Sequence, residues 1–102
     1  MSETSFLETL ETIIERRLSE APEGSYTARL AAQGTLKVAQ KVGEEGVELA
    51  LAAAAQDKSH VIDEAADLLY HVLLLLKLRA LKLADVVAEL ETRHREADPP
   101  RR

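Results

Sequence analysis

Residues 37–71 decide the fold, and they read KVAQKVGEEGVELALAAAAQDKSHVIDEAADLLYH. Two acidic groups lie on either side of a short polar break at residues 56–59: Glu44-Glu45-x-x-Glu48 and Glu64-x-x-Asp67. Because each residue of an α-helix advances by about 100°, the acids three residues apart in each group share one side of their helix. Positions 45 and 67 average to 56, as do positions 48 and 64, so an antiparallel hairpin turning near Gln56 brings the two pairs level. The sequence therefore predicts a helical hairpin in which four carboxylates converge on a shared cation.

The composition favours a single helical domain. The chain has 102 residues, of which 46% are hydrophobic, and this is enough for one domain with a modest core. It contains two Tyr, one Phe and no Trp, whereas Ala, Leu and Glu are abundant, and this balance favours helix over strand. We therefore expect an all-α bundle of four to five helices built around the hairpin, with a domain over residues 1–97 and a flexible tail over residues 98–102.

Charge and cysteine usage exclude several classes of protein. A formal net charge of -5 argues against a nucleic-acid binder, because phosphate backbones require a basic surface. The absence of cysteine excludes disulfides and thiolate zinc sites and fits a reducing compartment. The N-terminus lacks the pattern of a signal peptide, and the apolar runs are far shorter than the roughly 20 residues that span a bilayer. We expect a cytoplasmic protein that binds neither membrane nor nucleic acid.

Apolar residues at helical spacing predict helices over about residues 4–19, 35–56, 59–78 and 83–96. The sequence APEG at residues 21–24 ends the first helix, because proline disfavours helix at the residue before it. Residues 25–30 form a loop or a short helix whose hydroxyls either cap the turn or contact a polar ligand. Thr35 is the predicted N-cap of the first hairpin arm.

The charged side of that first arm has an ordinary interpretation as well as a functional one. Lys41 lies within reach of Glu44 and Glu45, so this side can be a solvated face with ion pairs worth about 0.2–0.5 kcal/mol each. A metal site is favoured because Glu44 and Glu48 repel each other and a second acidic pair lies at the matching height. We expect the opposite arc to be the buried one: Val38, Ala39, Val42, Leu49, Ala50 and Ala53.

The second arm changes character after His71. Four carboxylates suit Mg²⁺ or Mn²⁺ better than Zn²⁺, so His71 is expected to bond to a carboxylate or a phosphate, or to be structural. Residues 72–76 and Leu78 cover nearly the whole helix circumference, which predicts burial on all sides. Because a chain of this size hardly supplies that cover alone, we expect a homodimer in which the helices pack into a larger bundle.

Two stretches carry a family resemblance. Residues 37–48, KVAQKVGEEGVE, and residues 63–71, DEAADLLYH, resemble phosphoribosyl-ATP pyrophosphohydrolase of histidine biosynthesis, as does Ser25-Tyr26-Thr27 with Leu30 and Gly34. The ExxE and ExxD pairs are similar to those of the wider MazG-like all-α nucleotide pyrophosphohydrolases. Gly46 stands where the family pattern leads us to expect alanine.

The resemblance implies hydrolysis of 1-(5-phosphoribosyl)-ATP to 1-(5-phosphoribosyl)-AMP and pyrophosphate by a homodimer that uses Mg²⁺, with Mn²⁺ as a substitute. It assigns four metal ligands: Glu45, Glu48, Glu64 and Asp67. It makes Glu44 a further ligand or the base that orients water, so Glu44 and Glu45 are the catalytic candidates. The implied substrate-side residues are Lys37 and Lys41, which neutralise phosphate charge, and Ser25, Tyr26, Thr27, Tyr70 and His71. The next step of the pathway is expected to come from a separate cyclohydrolase.

Two alternatives remain open from the sequence. One is a housecleaning pyrophosphohydrolase of the same superfamily that acts on noncanonical or deoxynucleoside triphosphates. The other is a non-catalytic helical dimerisation module whose acidic faces are merely solvated. Turnover of a nucleotide panel separates the first from phosphoribosyl-ATP hydrolysis, and titration with Mg²⁺ or Mn²⁺ tests the second.

Overall fold

Five α-helices form the described part of the chain, which in this computed structural model comprises residues 5–55 and 57–95. They are α1 (Ser5–Glu20), α2 (Tyr26–Ala32), α3 (Thr35–Ala55), α4 (Lys58–Leu78) and α5 (Leu83–Arg95). These residues include no strand, which confirms the all-α prediction. The predicted start at Thr4, the predicted ends at Gln56 and Glu96 and the predicted tail over 98–102 lie outside the described residues.

Side chains just before the helices set where two of them begin. The hydroxyl of Ser25 accepts the backbone N–H of Ala28 at 3.1 Å and caps α2. A carboxylate oxygen of Asp57 accepts the N–H of His60 at 3.3 Å and caps α4. The predicted start of α4 near Ser59 was therefore late by one residue, because Asp57 supplies the cap.

The predicted N-cap of α3 was also misplaced. The helix already includes Thr35, and the carbonyl of Gly34 accepts the N–H of Val38 at 3.2 Å. Gly34, with a φ of 101°, therefore precedes the helix in the position that we assigned to Thr35. A left-handed backbone there suits glycine, which has no Cβ to clash.

Helices α3 and α4 form the hairpin, and its packing surface differs from the predicted one. The buried residues of α3 are Val38, Glu45 and Ala52, each seven positions after the last, which is the spacing of a row facing one neighbouring helix. Ala39, Ala50 and Ala53 are exposed, so the expected buried arc was wrong for them. An acidic side chain thus lies in the inward row of the hairpin.

The core lies where four helices meet, and it consists of Ile14, Leu30, Val38, Leu73 and Leu74. Around Leu73 and Leu74 pack partly buried residues of α1, α4 and α5, including Leu10, Leu78 and Leu83. No residue of 72–78 is exposed. Leu73 and Leu74 are buried and the rest of the run is half-buried, so the predicted burial on all sides holds for these two residues, and a partner chain that covers the others stays a prediction.

The large exposed apolar side chains lie elsewhere. In the hairpin they are Leu36, Val47 and Leu51 of α3 and Ile62 and Leu69 of α4. Leu36 is 87% exposed and Ile62 is 68% exposed. Among the described residues, none of the helices is both long enough and apolar enough to cross a bilayer.

Candidate metal centre

Three acidic side chains from the two hairpin arms meet at one place. Glu45, Glu48 and Glu64 each offer a carboxylate oxygen, and these oxygens all lie within 4.8 Å of one another. Glu45 is buried, at 5% exposure, Glu64 is half-buried and Glu48 is exposed. The hairpin therefore brings residues that are up to 19 positions apart in the sequence into a spacing at which one cation can contact them all.

Asp67, the fourth predicted ligand, is exposed and is not part of this group of three. Its position follows Glu64 by three residues, or about 300°, so it lies roughly 60° around the helix from Glu64. Mutual repulsion between carboxylates also disfavours the approach of a fourth one. The expectation that four carboxylates converge was therefore met by three of them.

Two oxygens of the group lack hydrogen-bond partners. Glu45 Oε2 and Glu64 Oε2 are both shielded from solvent, and neither has a partner among the described residues. An unpaired buried charge costs several kcal/mol in general. Divalent cations such as Mg²⁺ and Mn²⁺ prefer carboxylate oxygens, so the residues present fit a hard cation.

Lys41 is the positive group at this site. Its ammonium nitrogen lies 3.5 Å from Glu45 Oε1 and 4.0 Å from Glu44 Oε1, as the four- and three-residue spacings predict. Burial by itself lowers the pKa of Lys41, but its electrostatic interaction with Tyr26, the hydrogen bond to Glu45 and the negative charges of Glu45 and Glu44 outweigh this and raise the pKa above its ordinary value. Lys41 therefore stays an ammonium at neutral pH.

The other charged candidates are exposed. Glu44 accepts a hydrogen bond from the side-chain amide of Gln40 at 2.9 Å, and it lies outside the group of three carboxylates. Lys37 is exposed on the same helix, one turn before Lys41. Both can reach a ligand from solvent without breaking a buried contact.

Sequence reasoning gave His60 no role at the site. His60 Nε2 lies 3.1 Å from Glu64 Oε1, and both side chains line a cavity of about 350 Å³ with Glu48, Leu51, Ala52 and Ala55. This volume falls in the range of small-molecule pockets. The four-residue spacing between His60 and Glu64 is the signal that indicates this contact.

The five hydroxyl and aromatic candidates gather where α2 meets α4: Ser25, Tyr26, Thr27, Tyr70 and His71. Ser25 caps α2. Thr27 is 1% exposed and its hydroxyl bonds to the hydroxyl of Tyr70. Tyr26, at 43% exposure, places its hydroxyl oxygen 2.8 Å from His71 Nε2.

His71 has both ring nitrogens engaged inside the protein. Nδ1 lies 2.7 Å from the carbonyl oxygen of Asp67, and Nε2 contacts Tyr26. The side chain is 5% exposed. Among the described residues His71 makes the contacts of the structural role that we kept open for it, because its ring joins α2 to α4, and a bond to a substrate phosphate stays a prediction.

The fold and the site together define a class, namely an all-α protein whose helical hairpin presents three carboxylates beside a small cavity. Residues 7–94 match the model of the family described as Phosphoribosyl-ATP pyrophosphohydrolase. The chain belongs to the phosphoribosyl-ATP pyrophosphohydrolase family, which is a family of hydrolases, and this confirms the resemblance.

Curated relatives are about 50% identical to this chain over the segment that aligns with it. The "Histidine biosynthesis bifunctional protein HisIE" of Shewanella oneidensis is 53% identical over 92 residues, covering 90% of this chain and 44% of that protein. The proteins of the same name from Xanthomonas campestris pv. campestris and Vibrio cholerae are 51% and 50% identical, over 90% and 92% of this chain and 45% of each relative. The chain thus spans about half the length of the curated relatives it matches.

Proposed function

We propose that this chain hydrolyses 1-(5-phosphoribosyl)-ATP to 1-(5-phosphoribosyl)-AMP and pyrophosphate, as part of histidine biosynthesis. The observation that carries the proposal is the group of three carboxylates, two of whose oxygens are shielded from solvent and have no partner in the described part of the chain, in a chain of this family. Glu45 and Glu64 each have one oxygen engaged, by Lys41 and His60, while the second oxygen of each is shielded from solvent without a partner among the described residues, and an unsatisfied buried oxygen gives a purely structural hairpin no advantage. A polyphosphate substrate, in contrast, needs a divalent cation between its own oxygens and the protein carboxylates.

Glu45, Glu48 and Glu64 would hold Mg²⁺, with Mn²⁺ as a substitute. Asp67 would be the fourth ligand, because its side chain is exposed and is free to turn toward the other three. A bound divalent cation would polarise the phosphoryl group and lower the pKa of a water molecule. Mg²⁺ keeps several positions for water and phosphate oxygens, so a small set of carboxylates suits it. The protein contributes position, charge and exclusion of water.

The remaining charged residues take up the substrate's own charge. Lys41, held at the edge of the carboxylate group, would offset charge that develops on the departing pyrophosphate, and exposed Lys37 would extend this cationic row. Exposed Glu44 would accept a proton from the attacking water or orient it. The cavity beside Glu48 and Glu64 would receive part of the nucleotide.

A homodimer is the second part of the proposal. Leu36, Val47 and Leu51 lie 11 and 4 positions apart along α3, so they form one exposed apolar row. Ile62 and Leu69, seven apart on α4, form another exposed row. A second copy of the chain would cover both rows.

Cytoplasmic location remains a prediction. That a separate cyclohydrolase acts on the product also remains a prediction, because the curated relatives are named as bifunctional proteins and are about twice as long as this chain.

Pyrophosphate release is the direct test of this function. With Mg²⁺ present, we expect the chain to release pyrophosphate from phosphoribosyl-ATP and to prefer it to a panel of ordinary, deoxy- and noncanonical nucleoside triphosphates. Glu45→Gln and Glu64→Gln each remove one ligand charge, and we expect each variant to lose turnover by at least about 100-fold.

Glu89→Gln is the matched control, because Glu89 pairs with Arg93 on the surface of α5, 3.0 Å away, and should retain full activity. Preference for the nucleotide panel would instead identify a housecleaning enzyme. Full activity in both ligand variants would overturn the metal centre, and absence of any Mg²⁺ or Mn²⁺ binding would favour a dimerisation module.

A further inference from the structure

Each arm of the hairpin holds one of its acids through the residue four positions earlier. On α3 the Lys41 ammonium lies 3.5 Å from Glu45 Oε1, and on α4 His60 Nε2 lies 3.1 Å from Glu64 Oε1. In both carboxylates the second oxygen, Oε2, is shielded from solvent and has no partner among the described residues. The two acids therefore share one arrangement, in which a neighbour on the same helix occupies one oxygen and leaves the other open to a cation.

The start of α4 fixes the position of His60. A carboxylate oxygen of Asp57, the N-cap, accepts the backbone N–H of His60 at 3.3 Å, so His60 lies in the first turn of the helix and is held there by the cap. Residues four apart on a helix are neighbours on its surface. The imidazole therefore meets Glu64, which lies one turn later.

The contact with Glu64 defines which nitrogen of His60 carries a hydrogen. An ionised carboxylate can only accept a hydrogen bond, so Nε2 carries the hydrogen and donates it to Glu64 Oε1. The terminal bond of a glutamate side chain turns freely between two equivalent arrangements, but a hydrogen bond to Oε1 opposes that rotation. Glu64 then offers one defined oxygen, Oε2, to a ligand.

A pair with the same spacing on α5 differs in its surroundings. Arg93 Nε lies 3.0 Å from Glu89 Oε2, and the Glu89 side chain is 55% exposed, whereas that of Glu64 is 14% exposed. An exposed pair of this type adds little beyond helix stability. Glu64 instead lines the cavity of about 350 Å³ with Glu48 and His60, so its hydrogen bond affects how a carboxylate meets a molecule or ion in that cavity.

We propose that His60 is a positioning residue, which holds Oε1 of Glu64 and so leaves Oε2 as the oxygen that the divalent cation binds. On the other arm, Lys41 occupies Oε1 of Glu45 in the same way. This inference rests on the metal centre of the proposed function. The effect of His60 reaches the cation through Glu64, without a bond from the imidazole to the cation or to the substrate.

Two substitutions at His60 separate a correctly placed donor from polarity alone. His60→Gln puts an amide nitrogen the same number of bonds from the backbone as Nε2, and Gln40 donates to Glu44 across the same four-residue spacing at 2.9 Å. His60→Asn is one bond shorter and falls short of Glu64. We expect His60→Asn to bind Mg²⁺ and Mn²⁺ about tenfold more weakly than the wild-type protein, and His60→Gln to stay within about threefold of it. Isothermal titration calorimetry without nucleotide measures both affinities.

His94→Asn is the matched control, because it makes the same substitution at an exposed histidine of α5, whose Nδ1 lies 2.8 Å from the carbonyl oxygen of Leu90. We expect this variant to bind both cations as the wild-type protein does. Wild-type affinity in His60→Asn would overturn the positioning role. Equal weakening in His60→Asn and His60→Gln, or in His60→Asn and His94→Asn, would overturn it as well.

Nitrogen-15 NMR of the imidazole rings tests the contact without any change at the site. The chain has three histidines, and His94→Asn identifies one of their signals. At about pH 8, where imidazole is generally neutral, we expect His60 to carry its proton on Nε2 both with EDTA and with saturating Mg²⁺. A proton on Nδ1 with EDTA would overturn the hydrogen bond to Glu64. Loss of the Nε2 proton when Mg²⁺ is added would make His60 a direct ligand and overturn the positioning role.

Failure of the proposed function gives a different set of results. If His60→Asn weakened cation binding but the wild-type protein did not hydrolyse phosphoribosyl-ATP, the proposed function would fail and the role of His60 would stand. If phosphoribosyl-ATP were hydrolysed and His60→Asn bound both cations as the wild-type protein does, only the role of His60 would fail. If the wild-type protein bound neither cation, both would fail.

Discussion

At the scale of single residues, the group of three carboxylates costs stability, and a bound cation would offset that cost. Glu45, Glu48 and Glu64 place carboxylate oxygens within 4.8 Å of one another, and like charges at this distance repel by about 1–4 kcal/mol at the effective dielectric constants of water and a protein surface. Lys41 offsets part of this repulsion at Glu45. Among the described residues, Glu64 has only His60 as a partner, through one of its two oxygens.

We therefore predict that Glu64→Gln stabilises the protein when divalent cations are removed with EDTA, by about 1 kcal/mol. With Mg²⁺ at 100 times its dissociation constant, the wild-type protein should gain about 2.7 kcal/mol, and the variant should gain much less. Urea unfolding with EDTA and with Mg²⁺ measures both effects.

Glu89→Gln again serves as the control, since loss of an exposed ion pair changes stability by less than about 1 kcal/mol and should not change the response to Mg²⁺. Equal Mg²⁺ stabilisation of the wild-type protein and Glu64→Gln would contradict a site built on Glu64.

The sequence predicts part of this site and misses part of it. The meeting of Glu45, Glu48 and Glu64 follows from helical spacing and from a hairpin centred near residue 56. The exposure of Asp67 depends on how α4 is rotated against α3, which single-helix periodicity does not define. The hydrogen bond between His71 and Tyr26 depends on where α2 packs against α4, and no local pattern in residues 25–30 predicts that position.

At the scale of the helices, Lys77 of α4 forms ion pairs with two acids of α1. Lys77 Nζ lies 2.6 Å from Glu15 Oε1 and 3.8 Å from Glu11 Oε2. The hydrogen bond and the charge of Lys77, with a smaller effect of Lys82, outweigh desolvation and lower the pKa of Glu15 below its ordinary value of 4.5. A carboxylate whose pKa is lowered by folding stabilises the folded state while it is ionised.

This gives a prediction with a defined sign. Glu15→Gln should lower stability at pH 7, where Glu15 is ionised in both folded and unfolded chains. As the pH falls below about 4.5, the wild-type protein should lose this contribution, because its Glu15 then binds a proton. The difference between wild type and variant should therefore shrink toward zero in urea unfolding measured from pH 7 to pH 3.

Glu23→Gln is the matched control, because Glu23 is an exposed acid of the turn between α1 and α2, and we expect no such pH-dependent difference. A difference for Glu15→Gln that stayed constant across the pH range would exclude the ionised pair as its source.

Gly46 allows a test of helix propensity. Gly46 lies inside α3, and a Cβ built there meets nothing within 4 Å. Gly46→Ala should therefore stabilise the protein by about 0.5–1 kcal/mol, or raise the melting temperature by about 2–8 °C. Thermal unfolding followed by circular dichroism measures this change.

Gly34→Ala provides the opposite case. Its Cβ also meets nothing within 4 Å, but its φ is 101°, a region that costs an L-residue about 1–2 kcal/mol. We expect this variant to melt at a lower temperature than the wild-type protein. If both substitutions changed stability in the same direction, backbone conformation would not be the reason.

The number and bounds of the helices were easier to predict from the sequence than the side of each helix that is buried. The number of helices and their approximate bounds follow from apolar spacing and from the APEG turn. The inward row of α3 runs through Val38, Glu45 and Ala52, and an acidic residue within it misleads any assignment that treats charge as a sign of exposure. The available signal was that Val38 and Ala52 lie fourteen residues, or two seven-residue repeats, apart with Glu45 midway between them.

At the scale of the whole molecule, the chain is less compact than a typical domain of its length. Its radius of gyration is 15.3 Å, whereas a compact domain of 100 residues has about 13 Å. The five buried residues of the core cluster lie where α1, α2, α3 and α4 meet, while the hairpin carries apolar side chains that are 49–87% exposed. Apolar patches of this kind mark protein interfaces.

The last prediction concerns this hairpin surface. Val47 is 60% exposed and Ile62 is 68% exposed, so aspartate at either position should leave the monomer folded while placing a charge in the proposed interface. We expect the wild-type protein to have about twice its chain mass of 11.2 kDa and Val47→Asp and Ile62→Asp to be monomers. Sedimentation equilibrium gives the masses, and circular dichroism checks that both variants remain helical.

Leu90→Asp on α5, where Leu90 is 47% exposed, is the control and should stay dimeric, because the exposed fraction of the α5 apolar residues is lower throughout. A monomeric wild-type protein would exclude the homodimer, and dissociation by Leu90→Asp alone would assign the interface to α5.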